Sequence, residues 1–328
     1  MASPQKLKIL CVMQILLDYS DEDHVLSATR IVELLERDYD IIADRKGIYN
    51  DVEILREFDM DIEQKKGTNP GYYVASREFE LAELKLLVDA VQSSKFISTK
   101  KSKQLIGKLE KLTNQFGKKQ LQRQVYISNR AKTDNENILI NVDNIHSAIN
   151  NNRTILFKYV NWTVDGNFEE RRGGALYEVS PWALTWDDEN YYLVAYDSHE
   201  EKIKHFRVDK MRKIEVSNSL REGKEHFENF DLGVFARKTF GMFDGKEEHV
   251  TLVCDNSLCG VIFDRFGKDG ASVRNEDDEN IRVSVNVCVS PQFFGWMTGL
   301  GEKIKIVAPE SVKNNYEKYI KSILENYK

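Results

Sequence analysis

The chain opens with three helical patterns followed by two strand patterns. Apolar residues at Leu7, Leu10, Cys11, Met13, Ile15, Leu16 and Leu17 mark a broad helical face between Gln5 and Tyr19, closed by Asp21-Glu22-Asp23. Ser27 supplies the N-cap of a second helix carrying Ile31, Leu34 and Leu35. Asp44 caps a third, in which Ile48, Val52, Leu55 and Phe58 face inward and Arg45, Lys46, Tyr49, Asn50 and Arg56 stay outside. Met60 to Gln64 and Tyr72 to Ala75 then read as two short strands around the polar loop Lys65-Lys66-Gly67-Thr68-Asn69-Pro70-Gly71.

Helical spacing continues through the middle of the chain. Phe79, Leu81, Leu84, Leu86, Leu87, Val88 and Val91 predict a largely buried helix, and Leu105, Leu109, Leu112 and Phe116 predict another after Ser98 that stops at Gly117. A short helix from Asn144 follows, and the period then falls to two. Ile155, Phe157 and Tyr159 alternate in a strand, a turn leads to Arg171-Arg172-Gly173-Gly174, and Leu176 to Met211 holds three alternating runs. Asp187-Asp188-Glu189-Asn190 and Asp197-Ser198-His199-Glu200-Glu201 separate these runs, as in an antiparallel meander. About five short strands after one helix predict a small SH3-like or Sm-like barrel.

A charged connector follows from Ser217, then a turn-rich junction at Phe240 to Gly245. Beyond it, strands at 249–254, 281–289 and 303–307 alternate with helices at 257–266, 291–300 and 309–326, with Pro291 and Pro309 near helix starts. The predicted organisation is multidomain α+β. It comprises an N-terminal winged helix-turn-helix at 1–77, a helical linker and dimerisation region at 78–137, the barrel at 138–220, a connector at 221–247 and a C-terminal α/β domain at 248–328.

Composition adds limits. The longest apolar run, Ile9 to Leu17, is too short to span a bilayer, and the N-terminus lacks signal-peptide architecture, so a cytoplasmic protein is expected. Cys11, Cys254, Cys259 and Cys288 are scattered among apolar neighbours without metal-ligand spacing. Gly299 and Gly301 close a helix instead of opening one, so no metal and no cofactor are expected. A net charge of −6 argues against a general polyanion binder and leaves room for a local basic surface. The basic run from Lys95 to Lys132 fits either a DNA-facing surface or the wet face of a linker helix.

Three short helices and a basic-tipped hairpin are the outline of a winged helix-turn-helix, whose third helix enters the major groove. Arg45 and Lys46 suit phosphate or guanine, Asn50 suits base edges, Tyr49 shares their face, and Lys65 and Lys66 suit phosphate. In the meander, Ser180, Trp182, Tyr192, His205 and Arg207 are groups that bind ligands more often than they fill cores, although Trp182 and Trp186, alternating with Ala183-Leu184-Thr185, read as core. A hydrolase triad can be drawn from Ser180, His205 and Asp209 or Asp187. Ser180 lies in Val-Ser-Pro-Trp and not on a strained strand-to-helix turn, so the chain is not read as an enzyme.

The runs ILFKY, SPWALTWDDENYYLVAYD and KIKHFRVDKM resemble the WYL domain of bacterial transcriptional regulators, an Sm-like barrel usually found behind a winged helix-turn-helix. The Trp-Tyr-Leu of the name is Tyr191-Tyr192-Leu193 here. Phe293-Phe294-Gly295-Trp296, Gly299-Leu300-Gly301 and the following KIKIVAPESV resemble the C-terminal WCX-type extension, a ferredoxin-like α/β fold. The resemblance implies a sensor of nucleic acids, including single-stranded DNA, or of nucleotide-like ligands. By position it assigns Tyr159, Ser180, Tyr192, His205 and Arg207 to the ligand, with Arg171, Arg172 and Trp182 behind them. The expectation is a homodimeric transcription regulator that reads double-stranded operator DNA and senses an effector. An RNA- or single-stranded-DNA-binding adaptor that reads no operator is the alternative.

Overall fold

Helix α1 (Pro4–Tyr19) buries Cys11, Val12, Ile15 and Leu16 against α2 (Ala28–Tyr39) and α3 (Arg45–Glu57). The caps are those the sequence offers: the Ser27 side chain accepts the Arg30 N–H, and Asp44 accepts the Gly47 N–H at 2.7 Å. Strands β1 (Ile62–Lys65) and β2 (Gly71–Val74) form an antiparallel hairpin whose Ile62, Tyr72 and Val74 complete this core. The structure, a computed structural model, describes residues 4–122, 132–187, 189–228, 240 and 245–328. The chain divides into two compact units, Met1–Glu136 and Asn137–Lys328. Arg123, Asp188 and most of the Phe240 to Gly245 junction lie outside the described residues.

Several apolar positions expected inside are exposed, Leu7, Leu87, Leu112 and Trp186 among them. Leu10 is 55% exposed, Phe58 73% and Leu86 71%. Helical periodicity identifies a face, but how much of it is covered depends on the width of the partner. Helix α4 (Leu81–Ser93) buries only Leu84 and Val88, so the expectation of a largely buried helix is corrected. Helix α5 (Thr99–Leu109) continues through a 3₁₀ turn to Leu112, and a new helix, α6 (Gln115–Gln122), then begins. Gly117 lies inside α6 and is not a stop. The break falls at Asn114, whose side-chain oxygen accepts the N–H groups of Phe116 and Gly117 at 3.0 and 2.8 Å.

Carbonyls at helix ends need donors, and here distant side chains supply them. Arg77 donates to Leu17 and Ser20 carbonyls at 2.8 and 3.0 Å, and Asn114 donates to the Ser20 carbonyl at 2.9 Å. At the end of α4, the Lys132 ammonium sits among the carbonyls of Val91, Ser94 and Ile97 and the Ser102 hydroxyl, at 2.8 to 3.3 Å. Burial pulls the Lys132 pKa below its ordinary value, and the ring of oxygens is what a retained cation requires.

In the second unit, α7 (Ile138–Asn150) packs on a sheet of β3 (Arg153–Trp162), β4 (Phe168–Glu170), β5 (Tyr177–Asp187), β6 (Asn190–Asp197), β7 (Lys202–Arg207) and β8 (Met211–Leu220). The order is β4-β3-β5-β6-β7, with β8 also pairing β3, all antiparallel. Register shifts in β3/β8 and β5/β6 bend the sheet, and it curls around Phe157, Tyr159, Tyr177 and Phe206, with ring centroids 5.1 to 6.3 Å apart. Residues 217–220, where the charged pattern of the connector begins, are the end of β8.

The remaining elements are β9 (Lys246–Asp255), α8 (Cys259–Phe266), β10 (Ala271–Asn275), β11 (Asn280–Val289), α9 (Pro291–Gly299), β12 (Ile304–Ala308) and α10 (Glu310–Glu325). Their sheet order, β10-β11-β9-β12, is that of a βαββαβ sandwich. Strand β10 was not anticipated: as an edge strand it buries only Ala271 and shows no apolar alternation. The fold is mixed α+β. Among the described residues no helix is long and apolar enough to cross a membrane.

The Lys132 cradle yields a direct expectation. Lys132→Met should lower the stability of the first unit by about 1–3 kcal/mol, because several buried acceptors lose a charged donor. A denaturant midpoint shifted at unchanged slope would show this, and an unshifted midpoint would contradict it.

Candidate functional site

On α3, burial of Ile48, Asp51, Val52 and Leu55 fixes the helix's rotation. Arg45, Lys46, Tyr49 and Asn50 are consequently exposed along its first two turns. Lys8 pairs with Asp51 at 3.0 Å on the buried side, which neutralises a carboxylate beneath this face. Tyr49 is 48% exposed and meets the Tyr72 ring edge-on at 6.4 Å. Arg56, expected outside, is half-buried: it pairs with Glu53 and donates to the Ile62 carbonyl at 2.8 Å. In the hairpin, Lys65 and Lys66 are exposed, and the Lys65 ammonium donates to the Glu22 carbonyl at 3.2 Å. The structure therefore places Arg45, Lys46, Tyr49 and Asn50 on one helix face, and Lys65 and Lys66 at the end of β1 and the start of the hairpin loop.

In the second unit the chemistry gathers where β7 ends. Arg207 grips Asp209 through two N–H groups at 3.0 and 2.9 Å, and donates to Asn190 Oδ1 at 3.0 Å. Burial alone would lower the Arg207 pKa, but its bonds to Asp209 outweigh that and raise it, so the guanidinium stays charged. Its backbone N–H donates to the Tyr159 hydroxyl at 3.1 Å. Tyr159 is buried, and burial pushes its phenol up to about 12. The Arg171 guanidinium lies 5.8 Å from the Tyr159 ring centroid. Lys210 completes the group: burial first, then repulsion by Arg207 and Arg171, lowers its pKa despite Asp209. Arg207 and Lys210 thus stand beside one carboxylate, Asp209, and Arg171 adds a third cation near Lys210 and over the Tyr159 ring. This surplus of positive charge beside hydroxyl and amide groups is suited to a phosphate or carboxylate.

The other positions assigned by resemblance separate from this cluster in part. Tyr192 is directly opposite Arg207 across β6/β7 and shares its side of the sheet; His205, half-buried, is opposite Val194 on that same side. Arg172 lies over the Tyr177 ring at 4.6 Å and pairs with Glu200 at 2.8 Å. Lys202, Lys204 and Arg172 together hold the Glu200 carboxylate down to about 2. Ser180 is buried and its hydroxyl accepts the Glu222 N–H at 2.9 Å. Of the groups drawn as a triad, Ser180 accepts from Glu222 and Asp209 pairs with Arg207.

Sequence reasoning passed over Lys210 and Asn190. Lys210 stands in the turn after β7 and Asn190 is the first residue of β6, and a polar residue at a strand end gives no signal of what it faces. The available clue was density: Arg207 and Lys210 flank Asp209, a cation excess within four residues.

The WYL domain family matches residues 141–216. No curated protein matches the chain. Among solved structures, proteasome accessory factor B/C (PafBC) of Arthrobacter aurescens is 16% identical, with 98% of this chain and 49% of that one covered at a TM-score of 0.28. A CRISPR Cas-related protein is 12% identical, with 100% and 87% covered at a TM-score of 0.37. The chain spans about half the length of the first of these proteins. The segment that builds most of α7 and strands β3 to β8, and that brings Tyr159, Arg171 and Arg207 together, is a WYL domain.

Proposed function

We propose that this chain is a cytoplasmic DNA-binding transcription regulator. Its first three helices and hairpin act as a winged helix-turn-helix on operator DNA, and its WYL domain senses a nucleic-acid or nucleotide-like effector. The observation that carries the reading is the exposed face of α3, Arg45, Lys46, Tyr49 and Asn50, in a chain that also contains a WYL domain. A recognition helix contacts base edges with its N-terminal residues. Arginine reads guanine and asparagine reads adenine by paired hydrogen bonds, and the lysines of the hairpin meet phosphates. With a net charge of −6, operator binding relies on this local surface and weakens steeply with salt.

The effector site is the cluster of Arg171, Arg207 and Lys210 around Tyr159, flanked by Tyr192. Phosphate takes the cations and an aromatic base packs against rings. Two copies of the chain, joined through the exposed Leu86 and Leu87 of α4, would read two half-sites; a shift in their spacing would couple the effector to DNA.

Two expectations test the two halves. A gel-shift assay with a duplex selected by the protein from a random pool should lose the shifted band for Arg45→Ala and for Asn50→Ala, while light scattering still reports the wild-type mass. Retained binding would remove α3 as the reader. In the WYL domain, Arg171→Ala and Lys210→Ala should each weaken binding of a labelled oligo-dT about tenfold, with the unfolding midpoint nearly unchanged. Equal affinity would remove the cluster from the site. Arg207→Ala is a less direct probe, since it leaves the Asp209 carboxylate without its paired donor.

A further inference from the structure

Past the end of β8, residues Arg221 to Glu228 lie across β5 and β6 as a strap. Both backbone groups of Glu222 are held by β5: its N–H donates to Ser180 Oγ at 2.9 Å, and its carbonyl accepts from Trp182 Nε1 at 2.9 Å. Arg221 donates to the Pro181 carbonyl at 2.7 Å, and its guanidinium lies 4.1 Å from the Trp182 ring centroid. Two neighbouring strap residues then stack on two rings of the sheet. Phe227 lies on Trp182, with centroids 4.9 Å apart and planes 13° apart; His226 lies on Tyr196 at 4.9 Å and 22°. Gly223 makes the close approach possible. Its φ is +78°, and a Cβ there would stand 2.4 Å from Tyr196 Cγ, so no other residue fits without moving the ring.

The strap has the features of a short single strand of nucleic acid. Consecutive flat rings stack on a platform, and carboxylates recur along the backbone at Glu222, Glu225 and Glu228. Stacking on aromatic side chains is how single-stranded nucleic acid is held without sequence preference. Tyr196 and Tyr192 project on the same side of β6, four residues and about 13 Å apart, so the stacked rings and the Arg207 end of the sheet lie along one strand. We propose that Trp182 and Tyr196 form a stacking subsite for two neighbouring bases of a single-stranded nucleic acid. The strap Arg221–Glu228 is the subsite's intramolecular occupant, displaced when the nucleic acid binds. This rests on the nucleic-acid reading of the WYL domain and adds how access to it is controlled.

The test uses the full chain and a fluorescein-labelled oligo-dT. The double variant His226→Ala/Phe227→Ala should bind about tenfold tighter than wild type, and adding Trp182→Ala should abolish the gain. In unaltered protein, saturating oligo-dT should speed hydrogen exchange at the Glu222 amide, which Ser180 otherwise holds. This second measurement decides the matter alone if the variants fail to fold. If wild type binds oligo-dT while the double variant gains nothing, or the Glu222 amide stays protected, the strap is structural and the nucleic-acid reading survives without it. If neither protein binds, the nucleic-acid reading falls and the subsite falls with it.

Discussion

Strand β6 has almost no contact with solvent along Tyr192 to Asp197, and the second unit is arranged by the need to cover both of its faces. On one side Leu193 faces the aromatic group of Phe157, Tyr159, Tyr177 and Phe206 through its cross-strand partner Phe206. The sheet must curl to bring those rings together, and the irregular pairing of β3 with β8 provides the bend. On the other side, Tyr192, Val194 and Tyr196 also need cover, and a strand buried on both faces cannot obtain it from a single sheet. The strap after β8 covers the Tyr196 end. The polar groups of the site stand at the other end, where β7 stops.

Charge is handled differently in the two units. In the first, α3 keeps Arg45 and Lys46 exposed and its one buried carboxylate, Asp51, paired with Lys8. Cations that serve structure, Arg77 and Lys132, are turned onto helix-end carbonyls. In the second, Arg172, Lys202 and Lys204 are committed to Asp197 and Glu200, while Arg207 pairs with Asp209, Lys210 feels both, and Arg171 lies over Tyr159. Net charge is a sum over the whole chain, and a value of −6 is compatible with local groups of exposed cations such as Arg45 and Lys46.

What could be read from the sequence followed the range of the interaction involved. The helices around Ile31 and Ile48 and the meander from Leu176 to Met211 were legible, since caps, turns and alternation act over a few residues. The exposure of Phe58 and Leu86 was not, because periodicity names a face and only packing says how much of it is covered. Ser180 illustrates the limit most sharply. Its hydroxyl fits a ligand on residue type alone, and the partner that claims it is Glu222, forty-two residues along the chain. The spacing of Arg207 and Asp209 permits their pairing, whereas nothing local tells what Lys210, in the turn after β7, faces.

A ligand on the WYL domain is proposed to alter how the first unit holds DNA, and linkage makes this directly measurable. The affinity of the full chain for its selected duplex should be titrated by fluorescence anisotropy with and without saturating oligo-dT. A coupling of ordinary size predicts a shift of about 5- to 150-fold in either direction. Superimposable titrations, with oligo-dT shown to be bound, would mean that the WYL domain and the DNA-binding unit are uncoupled.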